Sequence, residues 1–219
     1  MVENVEIEQL WSRSASIHWS RPQNDGNSKI LRYIIQYWKE KITSPNAYRL
    51  HEQFTDSSLE TFQVTNKLSP GTAYVIRIIA ENELGRGEAS KSVKFETKEE
   101  EPSAVPVDIN VESKGTTTLK LKWKAPLKNH WNGQLKGYYI GYKEMREDDS
   151  SSLSCNRDEQ QYNWKDVPFT GQMSDNYFQE YYLTSLSKAG VYCIMIRAYN
   201  EQGNGPLSQP IIASTSNHG

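Results

Sequence analysis

Ala80-Glu81-Asn82-Glu83-Leu84-Gly85-Arg86-Gly87-Glu88-Ala89-Ser90 returns 118 residues later as Ala198-Tyr199-Asn200-Glu201-Gln202-Gly203-Asn204-Gly205-Pro206-Leu207-Ser208. Ala, Asn, two Gly and Ser recur at identical spacing. Each copy follows an apolar segment led by a tyrosine, Tyr74 in the first and Tyr192 in the second. A period of one domain's length predicts two copies of one fold. Halving the 219 residues gives units of roughly 100, a size at which each can bury its own core.

Working outward from the repeat, alternation of apolar and polar residues marks short strands. In the first copy, Val5 and Ile7 open, Ala15, Ile17 and Trp19 alternate with Ser16 and His18, and Tyr33, Ile35 and Tyr37 alternate again. A weaker strand is predicted near Tyr48–His51, then Thr61–Val64, the Tyr74 segment and Val93–Thr97. Seven short strands about ten residues apart are the pattern of a β-sandwich. The second copy repeats the order: Ile109 and Val111, then Leu119, Leu121 and Trp123, then Tyr138, Ile140 and Tyr142, then Leu186 leading to Tyr192. The offset between copies is 104 at the tryptophan, 105 at the third strand and 118 at the tyrosine. The second copy therefore holds about 13 extra residues (118 minus 105), mostly between Lys143 and Tyr162. The predicted division is 1–99, a charged and Pro-containing linker at 100–104, and 105–215.

Composition narrows the function. Net charge is −2, so no basic excess exists to neutralise nucleic-acid phosphates or an anionic bilayer. No apolar run approaches the roughly 18 residues a membrane span needs, and no signal peptide is visible at Met1. An extracellular parent would make this chain a fragment of a longer protein. Aromatic residues make up 11% of the chain, tyrosine foremost. With the β-branched residues around them, they favour strands.

Trp19-x-x-Pro22, the Tyr-x-Ile-x-Tyr strand, Leu-x(5)-Tyr and Ala-x-Asn-x-x-Gly-x-Gly together resemble a fibronectin type III domain, and the second copy matches as well, with Trp123 and Pro126 in place of Trp19 and Pro22. The resemblance implies an all-β fold of two seven-stranded sandwiches, strands A-B-E packed on G-F-C-C′. Trp19 and Trp123 would be central in the cores, and Tyr74 and Tyr192 would form tyrosine corners. Ile30-Leu31-Arg32-Tyr33-Ile34-Ile35-Gln36-Tyr37 and Trp131-Asn132-Gly133-Gln134-Leu135-Lys136-Gly137-Tyr138-Tyr139-Ile140-Gly141-Tyr142 are similar to the first two fibronectin repeats of the Down syndrome cell adhesion molecule (Dscam) family, in its arthropod form. That resemblance implies a single-pass membrane parent of the immunoglobulin superfamily. Its fragment would lie outside the cell and serve homophilic adhesion and self-recognition in neurons (neurogenesis) or innate immunity. These repeats would then be a spacer and a surface for cis self-association.

Residues that suggest chemistry each have a plainer reading. His18, His51, His130 and His218 are not spaced as metal ligands. Glu99–Glu101 and Glu147-Asp148-Asp149 lack the alternation and turn glycine of a calcium loop, and read as solvated segments. No Gly-x-Ser-x-Gly elbow is present. No catalytic, cofactor or metal site is expected, and no small-molecule substrate. Gly85-Arg86-Gly87-Glu88 approximates an integrin tripeptide, but the glutamate is one methylene too long.

Two cysteines stand apart. Cys193 follows the corner tyrosine, where alternation points it away from the core, and its counterpart is Val75. Cys155 lies in the inserted C–C′ loop, which begins beside the start of strand F. A Cys155–Cys193 disulfide is predicted, two free thiols being the alternative. No N-glycosylation sequon gives separate support for secretion.

Three tryptophans lie outside the core pattern. Trp11, Pro102 and Trp131 are predicted at the inter-domain junction, with an aromatic covering its own domain's end as the plainer alternative. Trp38, and Tyr139 in the second copy, should face outward on the G-F-C-C′ sheets as a partner surface. Two other classes fit the sandwich. A cytokine-type receptor module would carry paired cysteines in its first domain and Trp-Ser-x-Trp-Ser, neither of which is present. A receptor-phosphatase ectodomain pair is distinguished only by flanking sequence.

Overall fold

The computed structural model describes residues 1–40, 49–145, 155–171 and 177–218. It divides into two compact units, Met1–Glu100 and Glu101–Gly219. Among the described residues, helix is confined to two 3₁₀ turns, Lys128–His130 and Glu159–Gln161.

The first unit contains β1 (Glu3–Leu10), β2 (Ala15–Ser20), β3 (Ile30–Lys39), β4 (His51–Asp56), β5 (Thr61–Val64), β6 (Ala73–Asn82), the two-residue β7 (Gly85–Arg86) and β8 (Val93–Glu96). One sheet runs β1-β2-β5. The other runs β4-β3-β6, with β7 and β8 both paired to β6. The second unit repeats this with β9 (Val107–Ser113), β10 (Leu119–Lys124), β11 (Gly137–Glu144), β12 (Asn163–Pro168), β13 (Gln179–Leu183), β14 (Val191–Tyr199) and β15 (Ile211–Ser214). Its sheets run β9-β10-β13 and β12-β11-β14-β15. These are the A-B-E and C′-C-F-G sheets of a fibronectin type III sandwich. The strand predicted near Tyr48–His51 instead spans His51–Asp56, and Tyr48 lies outside the described residues.

Alternation builds each core. In β2 and β10 every second residue is buried, Ala15, Ile17 and Trp19 in one and Leu119, Leu121 and Trp123 in the other. Trp19 meets Tyr33 edge-on at 5.2 Å, and Trp123 meets Tyr138 in the same way at 5.3 Å. Such pairs add about 0.5–1.5 kcal/mol beyond area burial.

The repeated phrase is a set of matched hydrogen bonds. Asn82 Oδ1 accepts the Leu84 N–H, and Asn200 Oδ1 accepts the Gln202 N–H, each at 2.9 Å. Gly85 and Gly203 take φ of 124° and 156°, a region in which a Cβ is strained. The Gly87 and Gly205 N–H groups donate to the carbonyls of Ala80 and Ala198 at 2.8 Å. A Cβ on either glycine would come within 3.3 or 3.1 Å of that carbonyl oxygen. Ser90 and Ser208 donate their N–H to the carbonyls of Ile78 and Ile196, and their Oγ accepts the N–H of the same residues, all at 2.9 Å. Each serine thereby extends a ladder that would otherwise end.

The tyrosine hydroxyls close the other pole. Tyr74 Oη accepts the Ser69 N–H at 2.9 Å, and Tyr192 Oη accepts the Ser187 N–H at 2.8 Å. A further matched pair, 118 residues apart, lies beside them. Thr97 Oγ1 accepts from Thr72 N–H and donates to the Ser69 carbonyl; Thr215 Oγ1 accepts from Gly190 N–H and donates to the Ser187 carbonyl.

Candidate interaction surfaces

A sandwich with both cores filled offers function its outer faces, edges and loops. On β3 the residues facing away from the first core are Arg32, Ile34, Gln36 and Trp38, opposite Glu81, Ile79, Arg77 and Val75 of β6 and Asp56, Phe54 and Glu52 of β4. They form a connected layer. Arg77 Nε donates to Gln36 Oε1, and Gln36 Nε2 donates to Glu52 Oε1, each at 2.6 Å. Arg86 donates to Glu52 at 3.0 Å and lies 3.8 Å from Glu81, which Arg32 also engages. These bonds hold the carboxyls of Glu52 and Glu81 below their ordinary range. The Arg-Gly-Glu tripeptide at 86–88 thus has its arginine committed to this layer.

Trp38 faces outward here, as alternation predicts, but it is half-buried, with the Arg77 guanidinium 5.4 Å from its ring. Among the described residues, the open aromatic of this face is Phe54, 49% exposed on edge strand β4 with Arg32 4.6 Å above its ring; Leu50, at 45%, sits beside that strand. Edge position and a short strand hid Phe54 from sequence reading.

The equivalent face of the second unit is covered by its own inserted segment. Cys155 is bonded to Cys193 (S–S 2.01 Å, Cα–Cα 5.8 Å). Cys193 points away from the main core yet is buried, in a second cluster with Tyr162 and Met195 against which Met145, Cys155, Trp164 and Leu207 pack. Arg157 donates to the carbonyls of Leu207 and Ser208 at 3.0 Å, and Tyr162 Oη donates to the Asn156 carbonyl at 2.6 Å. Trp164 lies over Gly141, where a Cβ would come within 2.7 Å of the indole. Arg197 stacks 4.9 Å from that ring and pairs with Glu159 at 2.9 Å. Glu147-Asp148-Asp149 lies outside the described residues.

Tyr139 is half-buried and stacks on Tyr199 at 4.4 Å, so it is not an open aromatic. Tyr199 Oη donates to Asp166 at 2.8 Å. Burial first, and this hydrogen bond second, push the Tyr199 hydroxyl up to about 12.

Of the three residues predicted at the junction, Trp11 belongs to the first unit and Pro102 and Trp131 to the second. Trp131 is buried in the second unit's own core, its indole N–H donating to the Pro126 carbonyl at 2.7 Å and its ring edge-on to Phe169. Pro102 is buried within the same unit, against the backbone of Gly205. Trp11, in the first unit, is 39% exposed. Glu100 is bonded within the first unit, and Glu101 and Ser103 within the second. Arg13 grips Glu100 through two nitrogens at 2.7 and 3.0 Å, lowering the Glu100 carboxyl pKa chiefly through that bond. The Glu101 carbonyl accepts the Asn132 amide, and Ser103 N–H donates to the His130 carbonyl, each at 2.9 Å.

Among the described residues, no group of three His, Cys, Asp or Glu is placed to hold a metal ion. No helix there is long and apolar enough to cross a membrane.

The strand order, core tryptophans and tyrosine corners define a class, and the match to the family of the fibronectin type III domain covers residues 1–96 and 103–214. The chain belongs to that family, twice over. Over nearly its whole length it is similar to cell adhesion molecules: 34% identical over 197 residues to Dscam1 of Drosophila melanogaster, covering 90% of this chain and 9% of that protein. It is 32% identical over 213 residues to DSCAML1 of Gallus gallus, covering 96% of this chain and 10% of that one. The chain therefore spans about a tenth of these relatives' length. Among solved structures, the chicken CNTN1 FN1-FN3 domains superpose with a TM-score of 0.65 over 98% of this chain and 66% of that one. At 21% identity that likeness concerns the fold.

Proposed function

We propose that this chain is part of the extracellular region of an adhesion receptor, where its two domains act as a non-catalytic spacer and present a surface for self-association in cis. The similarity to Dscam1 and DSCAML1 over at least 90% of the chain supports the receptor setting. The Cys155–Cys193 disulfide is of the kind that persists in oxidising compartments outside the cell.

One observation carries the choice of surface. The C′-C-F-G face of the second unit is sealed by its own disulfide-held segment, while that of the first unit leaves Phe54 and Leu50 half exposed on the sheet that also carries Trp38. That face carries Arg32, Arg77 and Arg86 with Glu52, Asp56 and Glu81, three charges of each sign, so a two-fold contact of the patch with itself can set opposite charges against each other. We take Trp38, and not the stacked Tyr139, as the partner residue, with 100–104 as the linker between domains at 1–99 and 105–215.

Sedimentation analysis over a concentration series tests this. The chain should form dimers at high concentration, and Phe54→Ser with Trp38→Ala should abolish them while Tyr139→Ala does not. A strict monomer throughout reduces the pair to a spacer.

A further inference from the structure

The outward positions of the second strand differ between the two copies in one respect. Ser16, His18 and Ser20 of β2 correspond to Lys120, Lys122 and Lys124 of β10, each 104 residues on. The inward positions, Ala15, Ile17 and Trp19 against Leu119, Leu121 and Trp123, serve the core in both. The fold thus accepts serine and histidine at positions where the second unit carries only lysine. Residues two apart on a strand lie on one face about 6.7 Å apart, so the three ammonium groups form a row along β10.

Aromatic rings interleave with the row. Lys122 Nζ lies 4.1 Å and Lys124 Nζ 4.7 Å from the centroid of the Phe178 ring, and Lys120 Nζ lies 5.6 Å from that of Tyr182, itself 51% exposed. Carboxylates flank it: Glu180 pairs with Lys120 and Asp108 with Lys124, both at 2.9 Å, and Glu112 pairs with Lys114 at 3.3 Å. Among the described residues Lys122 makes no ion pair. In the Lys120 and Lys124 pairs the carboxylate is the open partner, Glu180 at 41% and Asp108 at 57% exposed against 17% and 24% for the lysines. A carboxylate so exposed holds its lysine weakly and yields it to a ligand carrying several strong anions. The corresponding face of the first unit has no lysine row and carries exposed Glu6 and Glu8 along β1.

We propose that the β9-β10-β13 face of the second unit binds a sulfated polysaccharide of the cell surface or matrix. Sulfates would engage Lys120, Lys122 and Lys124, and sugar rings would lie against Phe178 and Tyr182. Charge complementarity favours this occupant: the chain as a whole is anionic, yet this strand concentrates three cations in one line with flat apolar surface between them. A polyanion releases its own counterions on engaging such a row, which makes binding steeply salt-dependent. The site takes from the proposed function only its extracellular setting and shares no residue with the self-association face.

The test uses the full chain, heparin as the probe, and hyaluronan as a polymer with carboxylates but no sulfates. The chain should bind heparin at physiological salt and hyaluronan little, with log affinity falling against log salt at a slope of about −2 to −3 for three contacts. Lys120→Ser, Lys122→His and Lys124→Ser together install the residues of the first unit, so the fold should survive, as unchanged circular dichroism would verify. Heparin affinity should fall at least about tenfold in this variant; Phe178→Ser should weaken binding without changing the salt slope. Equal heparin binding by wild type and triple variant, or none by either, overturns the proposal. So does self-association that vanishes in the triple variant while heparin binding is unaffected, since the occupant would then be the acidic β1 face of a second copy.

Discussion

Replacing Cys155 by Ser and Cys193 by Val separates what the disulfide contributes from what the sandwich supplies alone. Valine is chosen because Val75 holds the same place in the first unit, where it is buried without any disulfide. The bond closes a sequence separation of 38 residues. In the chain-entropy treatment, −2.1 − 1.5R ln n with n of 38 gives about −13 cal/mol/K, or about 4 kcal/mol at 25 °C. The second unit has 119 residues (219 minus 100). At about 2.1 cal/mol/K per residue its unfolding entropy is about 0.25 kcal/mol/K, so the full loss lowers its melting temperature by about 15 °C. The main core, built on Trp123, Tyr138 and Ile194, does not include either cysteine, so the unit should stay folded at 25 °C. Scanning calorimetry reads the shift, and hydrogen exchange by mass spectrometry assigns it. Protection should fall over 155–164 and in β14, and remain unchanged in β2 and β3. An unchanged melting temperature would refute the entropic reasoning. Global unfolding would refute the view that the covered cluster is accessory to the main core.

Smaller perturbations probe single contacts. Tyr74→Phe and Tyr192→Phe each remove the acceptor of a backbone N–H, from Ser69 and Ser187, and should each cost about 1–3 kcal/mol in urea unfolding. Gly141→Ala places a methyl where the Trp164 indole lies and should cost about 1–3 kcal/mol, with a shift in tryptophan emission as the ring is displaced. His51, stacked on Tyr37, has its pKa lowered by burial first and then by Arg49, Lys39 and Lys67. The folded state therefore prefers neutral His51. The associated stability is present above the ordinary value near 6.5 and is lost as pH falls through the lower folded value. Urea unfolding at pH 7.5 and pH 5 should show this loss, and His51→Gln should flatten it.

Strand order and cores were legible because a period of two is a strong signal when one face is buried. Ala15-Ile17-Trp19 and Leu119-Leu121-Trp123 say the same thing twice. Thr97 and Thr215 were equally readable, at the same 118-residue offset, yet threonines within a strand ending draw no attention until their hydrogen bonds are seen. Alternation assigned Trp38, Tyr139 and Cys193 to outer faces, but it is silent on what covers a face. Arg77, Tyr199 and the inserted segment do so in turn. Trp164 was missed because its partner is an absence of side chain: Gly141 stands where the first unit has Gln36, and a mid-strand glycine marks close approach of another group. Trp131 sits in a loop, where neither periodicity nor spacing tells core from surface.

Hydrogen exchange of the full chain, compared between dilute and concentrated solution, tests the central claim that the open C′-C-F-G face of the first unit is the self-association surface. New protection is expected at high concentration in β4 (His51–Asp56) and along β3, and none in β14, whose outer face is already covered. Identical exchange at both concentrations, or protection confined to the second unit, would contradict it.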